Sequence, residues 1–218
     1  MYVQKCIKGV RGIGLAKAED ILLSEGLTCN WIRERDASGV PGVRFSEVSE
    51  RLTRNNLYLH VNAYDEPHPD YLEPRRLVSQ ETPYISLSAG NVTAPVFSRT
   101  NTVWPAHQTA LSFAIGPDGY EGECFLFYCW VIVALRPAVG VRALAEEVRD
   151  LKIYSQYTYY QGEGEIAAKI EVPASQIEKY EHWEVSGTGL NLDLKFIRER
   201  PNPSYIDPAT VVNLREAL

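Results

Sequence analysis

The chain has 218 residues, 45% of them hydrophobic and 23% charged, which suits one well-buried globular core and excludes a disordered or low-complexity chain. A formal net charge of −6 gives no global attraction to a phosphate backbone, so a nucleic-acid target would need a local basic patch. The N-terminus has no apolar leader pattern and the longest apolar run, Phe125 to Leu135, is too short to span a bilayer. The expectation is a soluble protein with no membrane partner, cytoplasmic or delivered without a classical signal peptide.

In chain order, residues 1–26 are predicted helical. Leu15, Ala18, Ile21 and Leu22 fall on one stripe, and Gly26 is the stop. Residues 27–36 are predicted as a strand that puts Trp31, Arg33 and Arg35 on one face. A short helix is expected over 45–55, with Ser46 as N-cap and Glu47 and Glu50 near its positive end. Residues 57–64 are expected as a strand with Tyr58, His60 and Asn62 on one side, and residues 65–83 as loop. A short strand over 83–90 follows. Pro105 then opens a helix running to about Ile115.

The continuous apolar run 124–135 is the strongest strand signal and implies burial on both faces. A helix is predicted over 141–151, a tyrosine-rich loop before Glu163, and strands over 165–172, within 173–185 and over 192–199. The tail from Pro201 ends in a short amphipathic helix. Cysteines 6, 29, 124 and 129 form no CxxC pair and no Cys/His cluster, which argues against zinc and for reduced thiols. The class is α+β, with many short strands and few helices.

Glu163 and Glu165 are separated by one glycine, so both can face one cleft. Two close carboxylates can divide labour, one stabilising positive charge and the other orienting or deprotonating an acceptor. Cleavage of a glycosidic bond passes through an oxocarbenium-like sugar, and a nearby carboxylate stabilises it. By itself the pair reads more readily as a solvated turn than as a catalytic pair.

The wider segment 163–177 resembles the ExE region of the cholera and heat-labile enterotoxin A chains, members of the mono-ADP-ribosyltransferase family. Glu163, Glu165, Pro173, Ser175, Gln176 and Ile177 fall in step with it without a gap. Residues 84–88 resemble the aromatic-x-STS strand of the same family, with Leu87 in place of the threonine. The resemblance implies a split β-sandwich around an NAD cleft, with a small N-terminal helical element. It implies division into residues 1–26, a catalytic domain over 27–200 and a tail over 201–218. It also implies a reaction, transfer of ADP-ribose from NAD to a macromolecule with release of nicotinamide.

On that resemblance Glu165 is the catalytic carboxylate, Glu163 acts on the acceptor and points to a protein arginine, and Ser86 braces Glu165, with Ser88 on the same face. The family carries an arginine on its first strand that contacts NAD phosphate. Two placements compete for it. In one, Arg33 takes the role, Arg35 is a spare and His60 matches the active-site histidine of the enterotoxins. In the other, residues 57–62 form the first strand and His60 replaces the arginine. The family's DxRPP residues are missing.

Tyr154, Tyr157, Tyr159 and Tyr160 precede the carboxylates and would contact the acceptor. Residues 9–22 also read as the hairpin of a helix-hairpin-helix motif, where Lys8, Arg11 and Lys17 would support phosphate binding at the Gly12–Gly14 turn. ADP-ribosylation of DNA or RNA therefore stands as an alternative, as do NAD hydrolysis alone and an inactive binding module with the same fold. A dedicated immunity or antitoxin protein is a further candidate partner.

Overall fold

The computed structural model describes residues 1–37, 45–72, 75–89, 106–116, 119–134, 138–148, 164–187 and 191–211. Its centre is strand β6, Gly122–Ala134. The apolar run that defines it in sequence is buried on both faces: Phe125 and Phe127 enter one core, Cys124 and Leu126 another. That fits a strand with layers on either side.

Strand β1, Tyr2–Arg11, pairs antiparallel with β6 over its whole length, from Tyr2 opposite Val133 to Arg11 opposite Cys124. The helix expected over 1–26 therefore begins as a strand. The helical stripe is real only from α1, Leu15–Asp20, which continues as a wider π-type turn over Ile21–Glu25. Ala18, Ile21 and Leu22 are buried as the stripe predicted, whereas Leu15 is exposed. Gly26 ends the segment with a φ of 74°, and its N–H donates to the Ile21 carbonyl. A side chain at Gly26 would place a Cβ 2.3 Å from the Val172 carbonyl oxygen, so both conformation and space call for glycine.

After the two-residue strand β2, Leu27–Thr28, the expected strand is replaced by helix α2, Asn30–Ala37. Trp31 and Ile32 are buried, and Arg35, one turn on, lays its guanidinium 3.7 Å from the Trp31 ring centre. Tertiary burial of a neighbouring Trp–Ile pair overrides their strand propensity. Helix α3 covers Phe45–Ser49, so Ser46 lies inside the helix and is not its cap. Helix α4, Arg54–Asn62, stands where a strand was expected. Thr53 caps it by accepting from the Asn56 N–H at 3.1 Å, and Leu57, His60 and Val61 bury the i, i+3, i+4 stripe. The alternation of Tyr58, His60 and Asn62 was incidental to that stripe.

The stretch expected as loop contains the small antiparallel pair β3, Pro67–Leu72, and β4, Arg75–Leu77, and the turn of helix α5, Val78–Glu81. Strand β5, Tyr84–Ser88, and helix α6, Ala106–Ile115, agree with the sequence. Strand β7, Ala145–Glu147, occupies the region predicted helical over 141–151. Strands β8, Glu165–Lys169, and β9, Glu171–Val172, meet at Ile170, a buried residue at φ 67° that carries the bend between them. Strands β10, Ile177–Ser186, and β11, Asp193–Pro201, complete the element list as expected.

The pairings β6–β1, β1–β5, β5–β8, β8–β7 and β7–β6 close a ring. β10 and β11 extend from β6 as an antiparallel wing. Every contact in this sheet is antiparallel except β6–β7. One core packs α1, α2 and α4 against the ring, and a second lies under α6, where Gly9 lets the helix sit on β1. The four cysteines are buried thiols. Among the described residues no helix is long and apolar enough to cross a membrane.

Candidate functional site

Glu165 opens β8. Gly164 before it adopts φ 61°, a left-handed turn that swings the chain into the strand, and its carbonyl accepts from the Ala89 N–H at 2.9 Å. That bond and the antiparallel register, Ser88 opposite Glu165 and Ser86 opposite Ala167, tie Glu165 to the serine strand. The two motifs, far apart in sequence, are thus neighbours through main-chain pairing.

His60 reaches the same place from α4. Its Nε2 lies 3.0 Å from Ser86 Oγ and 3.8 Å from Glu165 Oε1, and its Nδ1 lies 2.8 Å from Thr82 Oγ1. The ring is buried and packs edge-on to Tyr64, with centroids 5.6 Å apart. The Glu165 side chain keeps 13% exposure, so a carboxylate oxygen is within reach of solvent.

Burial first, and the Lys8 ammonium second, push the His60 pKa down to about 3. The imidazole is neutral at physiological pH. In the unfolded chain it takes up a proton near 6.5, while the native ring resists until about 3. Stability linked to His60 is therefore flat above 6.5 and falls as pH drops through that window. Urea denaturation of wild type and His60→Gln should show a shallower loss of stability in the variant between those pH values. Equal slopes would mean that His60 is protonated in the native protein.

Lys8 was singled out from sequence only as a charge near the Gly12–Gly14 turn, not as a neighbour of Glu165. It lies on β1, partly exposed, and its charge is felt by Glu165, Arg33 and Cys129. Burial of its amine lowers its pKa to about 8, an effect offset in part by Glu165 and reinforced by Arg33. Its place on a strand was hidden because the face of β1 that carries Cys6 also buries the polar Gln4, which breaks the period-two pattern.

Neither placement of the first-strand arginine agrees with the fold, because residues 27–36 and 57–62 are mainly helical and the first strand is β1. Arg33 stands on α2, exposed, donating to Asn30 Oδ1 at 3.2 Å, and its charge reaches Lys8 and Tyr64. Arg35 points elsewhere: with Arg76 it grips the buried Glu81 carboxylate, at 2.9 and 2.8 Å, and the two guanidiniums hold that carboxyl below its ordinary pKa against the upward push of burial. Ser88 is buried beside Glu165 in register. Glu163 and Tyr154, Tyr157, Tyr159 and Tyr160 lie outside the described residues. The helix-hairpin-helix reading loses its first helix to β1.

A separate cavity of about 440 Å³ opens at the other end of β8, between Val131, Ile132, Arg142, Ala145, Lys169 and Gln176. It lies where β10 has left β6, at Cys129, and β7 has not yet joined it, at Val133. It does not include Glu165, His60 or Ser86.

No protein-family model and no curated protein sequence matches the chain. Solved structures similar to it include EcPltA, at 10% identity over 94% of this chain and 89% of that one, with a TM-score of 0.48. A nicked CARDS toxin is similar at 10% identity over 94% of this chain and 31% of that one, with a TM-score of 0.46. A heat-labile enterotoxin mutant is similar at 15% identity over 93% of this chain and 76% of that one, with a TM-score of 0.41.

Proposed function

We propose that the chain is an NAD-dependent mono-ADP-ribosyltransferase of toxin or effector type. The observation that carries this reading is the junction of Glu165, Ser86 and His60 on the β5–β8 pair and α4, with the Lys8 charge beside it. A carboxylate held by a strand and faced by a neutral histidine and a hydroxyl suits stabilisation of a developing cation.

In the reaction, the N-glycosidic bond of NAD breaks and nicotinamide leaves with the bonding pair. Positive charge develops on the ribose, and Glu165 stabilises it. The acceptor then forms the new bond at that carbon and gives its proton to a base, the role we assign to Glu163 from the sequence resemblance. The same resemblance supports a protein arginine as acceptor. Ser86 holds the Glu165 side chain in place, and Lys8 supplies the first-strand cation that the resemblance calls for, as a counter-charge to the pyrophosphate. Arg33 adds positive charge at the mouth of the site from a helix.

The test is incubation with labelled NAD, followed by measurement of nicotinamide release and of label transferred to lysate. A wild type that does neither removes the enzyme reading. Protease sensitivity of the labelled product is expected, and nuclease sensitivity would move the acceptor to nucleic acid.

Lys8 makes a further prediction. With its pKa near 8, its charge is present below that value and lost above it. KM for NAD should rise as pH passes through 8, whereas Lys8→Arg, charged throughout, should flatten that limb. An unchanged profile would take Lys8 out of the site.

A further inference from the structure

We infer that Thr82 is a positioning residue that fixes His60 as the Nε2–H tautomer, so that the ring donates toward Ser86 and Glu165. The inference rests on the reading of this site as NAD-cleaving. It adds a residue that touches neither the substrate nor the reacting atoms.

Thr82 lies just before β5 and is buried. It is pinned from two sides: its carbonyl accepts from the Trp31 N–H at 3.2 Å, and its Oγ1 accepts from the Tyr84 N–H at 3.2 Å. Its neighbour Glu81 is anchored by Arg35 and Arg76, which fixes the end of α5. A threonine hydroxyl has one proton and two lone pairs. With the Tyr84 N–H on one lone pair, the proton needs an acceptor, and among the described residues the only one within hydrogen-bond reach is His60 Nδ1 at 2.8 Å. The reverse arrangement, Nδ1–H donating to Thr82, leaves a buried hydroxyl proton with no acceptor, a costly state.

A neutral imidazole carries a single N–H, so an accepting Nδ1 puts the proton on Nε2. Nε2 lies 3.0 Å from Ser86 Oγ and 3.8 Å from Glu165 Oε1. The ring thus donates on the side of the carboxylate, and Ser86, accepting from it, keeps its own proton to donate. Without Thr82 the ring can turn its acceptor nitrogen to Ser86 and take that proton.

The experiment uses the full chain labelled with ¹⁵N-histidine. The four histidines give separate ring signals, and those of His60 are identified by their absence from His60→Gln. In wild type, Nδ1 should be unprotonated and Nε2 protonated. In Thr82→Val the two states should mix or exchange, with kcat for nicotinamide release falling about tenfold at a KM within about twofold of wild type. Thr82→Ser should restore both the signals and the rate.

A protonated Nδ1 in wild type overturns the proposal, and so does a Thr82→Val enzyme with wild-type kcat. If Thr82→Val does not fold, the wild-type and Thr82→Ser spectra still decide the tautomer. A wild type that shows this tautomer but cleaves no NAD overturns the reading of the site, and the nitrogen signals separate that failure from a wrong tautomer.

Discussion

Glu165→Gln is expected to slow nicotinamide release by about a thousandfold while leaving the fold intact. The amide has the size and shape of the carboxylate and can keep its place beside Ser86 and His60. The negative charge is lost, and in the proposed reaction that charge is what lowers the barrier as the sugar becomes cationic. Glu165 sits at the first position of β8 with part of its side chain open to solvent, so the change adds no buried orphan. Urea midpoints for the two proteins should agree within experimental scatter. Label transfer at the wild-type rate by Glu165→Gln would assign the chemistry to another carboxylate.

The second large effect concerns stability. Lys169 and Glu146 form an ion pair at 2.7 Å with both side chains essentially inaccessible to water. The pair joins β8 to β7 beside the 440 Å³ cavity, and Lys169 Nζ also donates to the Ala138 carbonyl. Burial lowers the Lys169 pKa, and Glu146 pulls it back up. Glu146→Ala strands the ammonium and should cost about 3–5 kcal/mol by urea denaturation. Glu146→Leu combined with Lys169→Met should recover most of the loss, because the desolvation of both charges disappears with them. A cost below about 1 kcal/mol for Glu146→Ala would mean that water reaches Lys169.

The site was legible in part. Glu165 and Ser86 could be read because their motifs lie on strands, and adjacent strands bring fixed positions face to face by main-chain pairing. His60 was also named, on the wrong element: its place in the site comes from the buried stripe of α4, whose end delivers the ring to Ser86. Arg35 was misassigned because a strand was assumed. On α2 it lies one turn from Trp31 and over Glu81, and its charge is used there. Lys8 was read only as part of the Gly12–Gly14 turn and Thr82 was not read at all, because the part each plays beside Glu165 and His60 comes through a neighbour distant in sequence.

The sequence by itself determined the α+β class, the central strand β6, the strands β5, β8, β10 and β11, the helix α6, and the carboxylate and serine that meet on the β5–β8 pair. These follow from local causes: continuous apolar runs, glycine and proline punctuation, and motif spacing. Tertiary structure decided which cation stands beside Glu165 and which hydroxyls face the two ring nitrogens of His60. Charge proximity and hydrogen-bond direction depend on the closure of β1 onto β5 and β6 and on the docking of α4, contacts between residues that no local window contains.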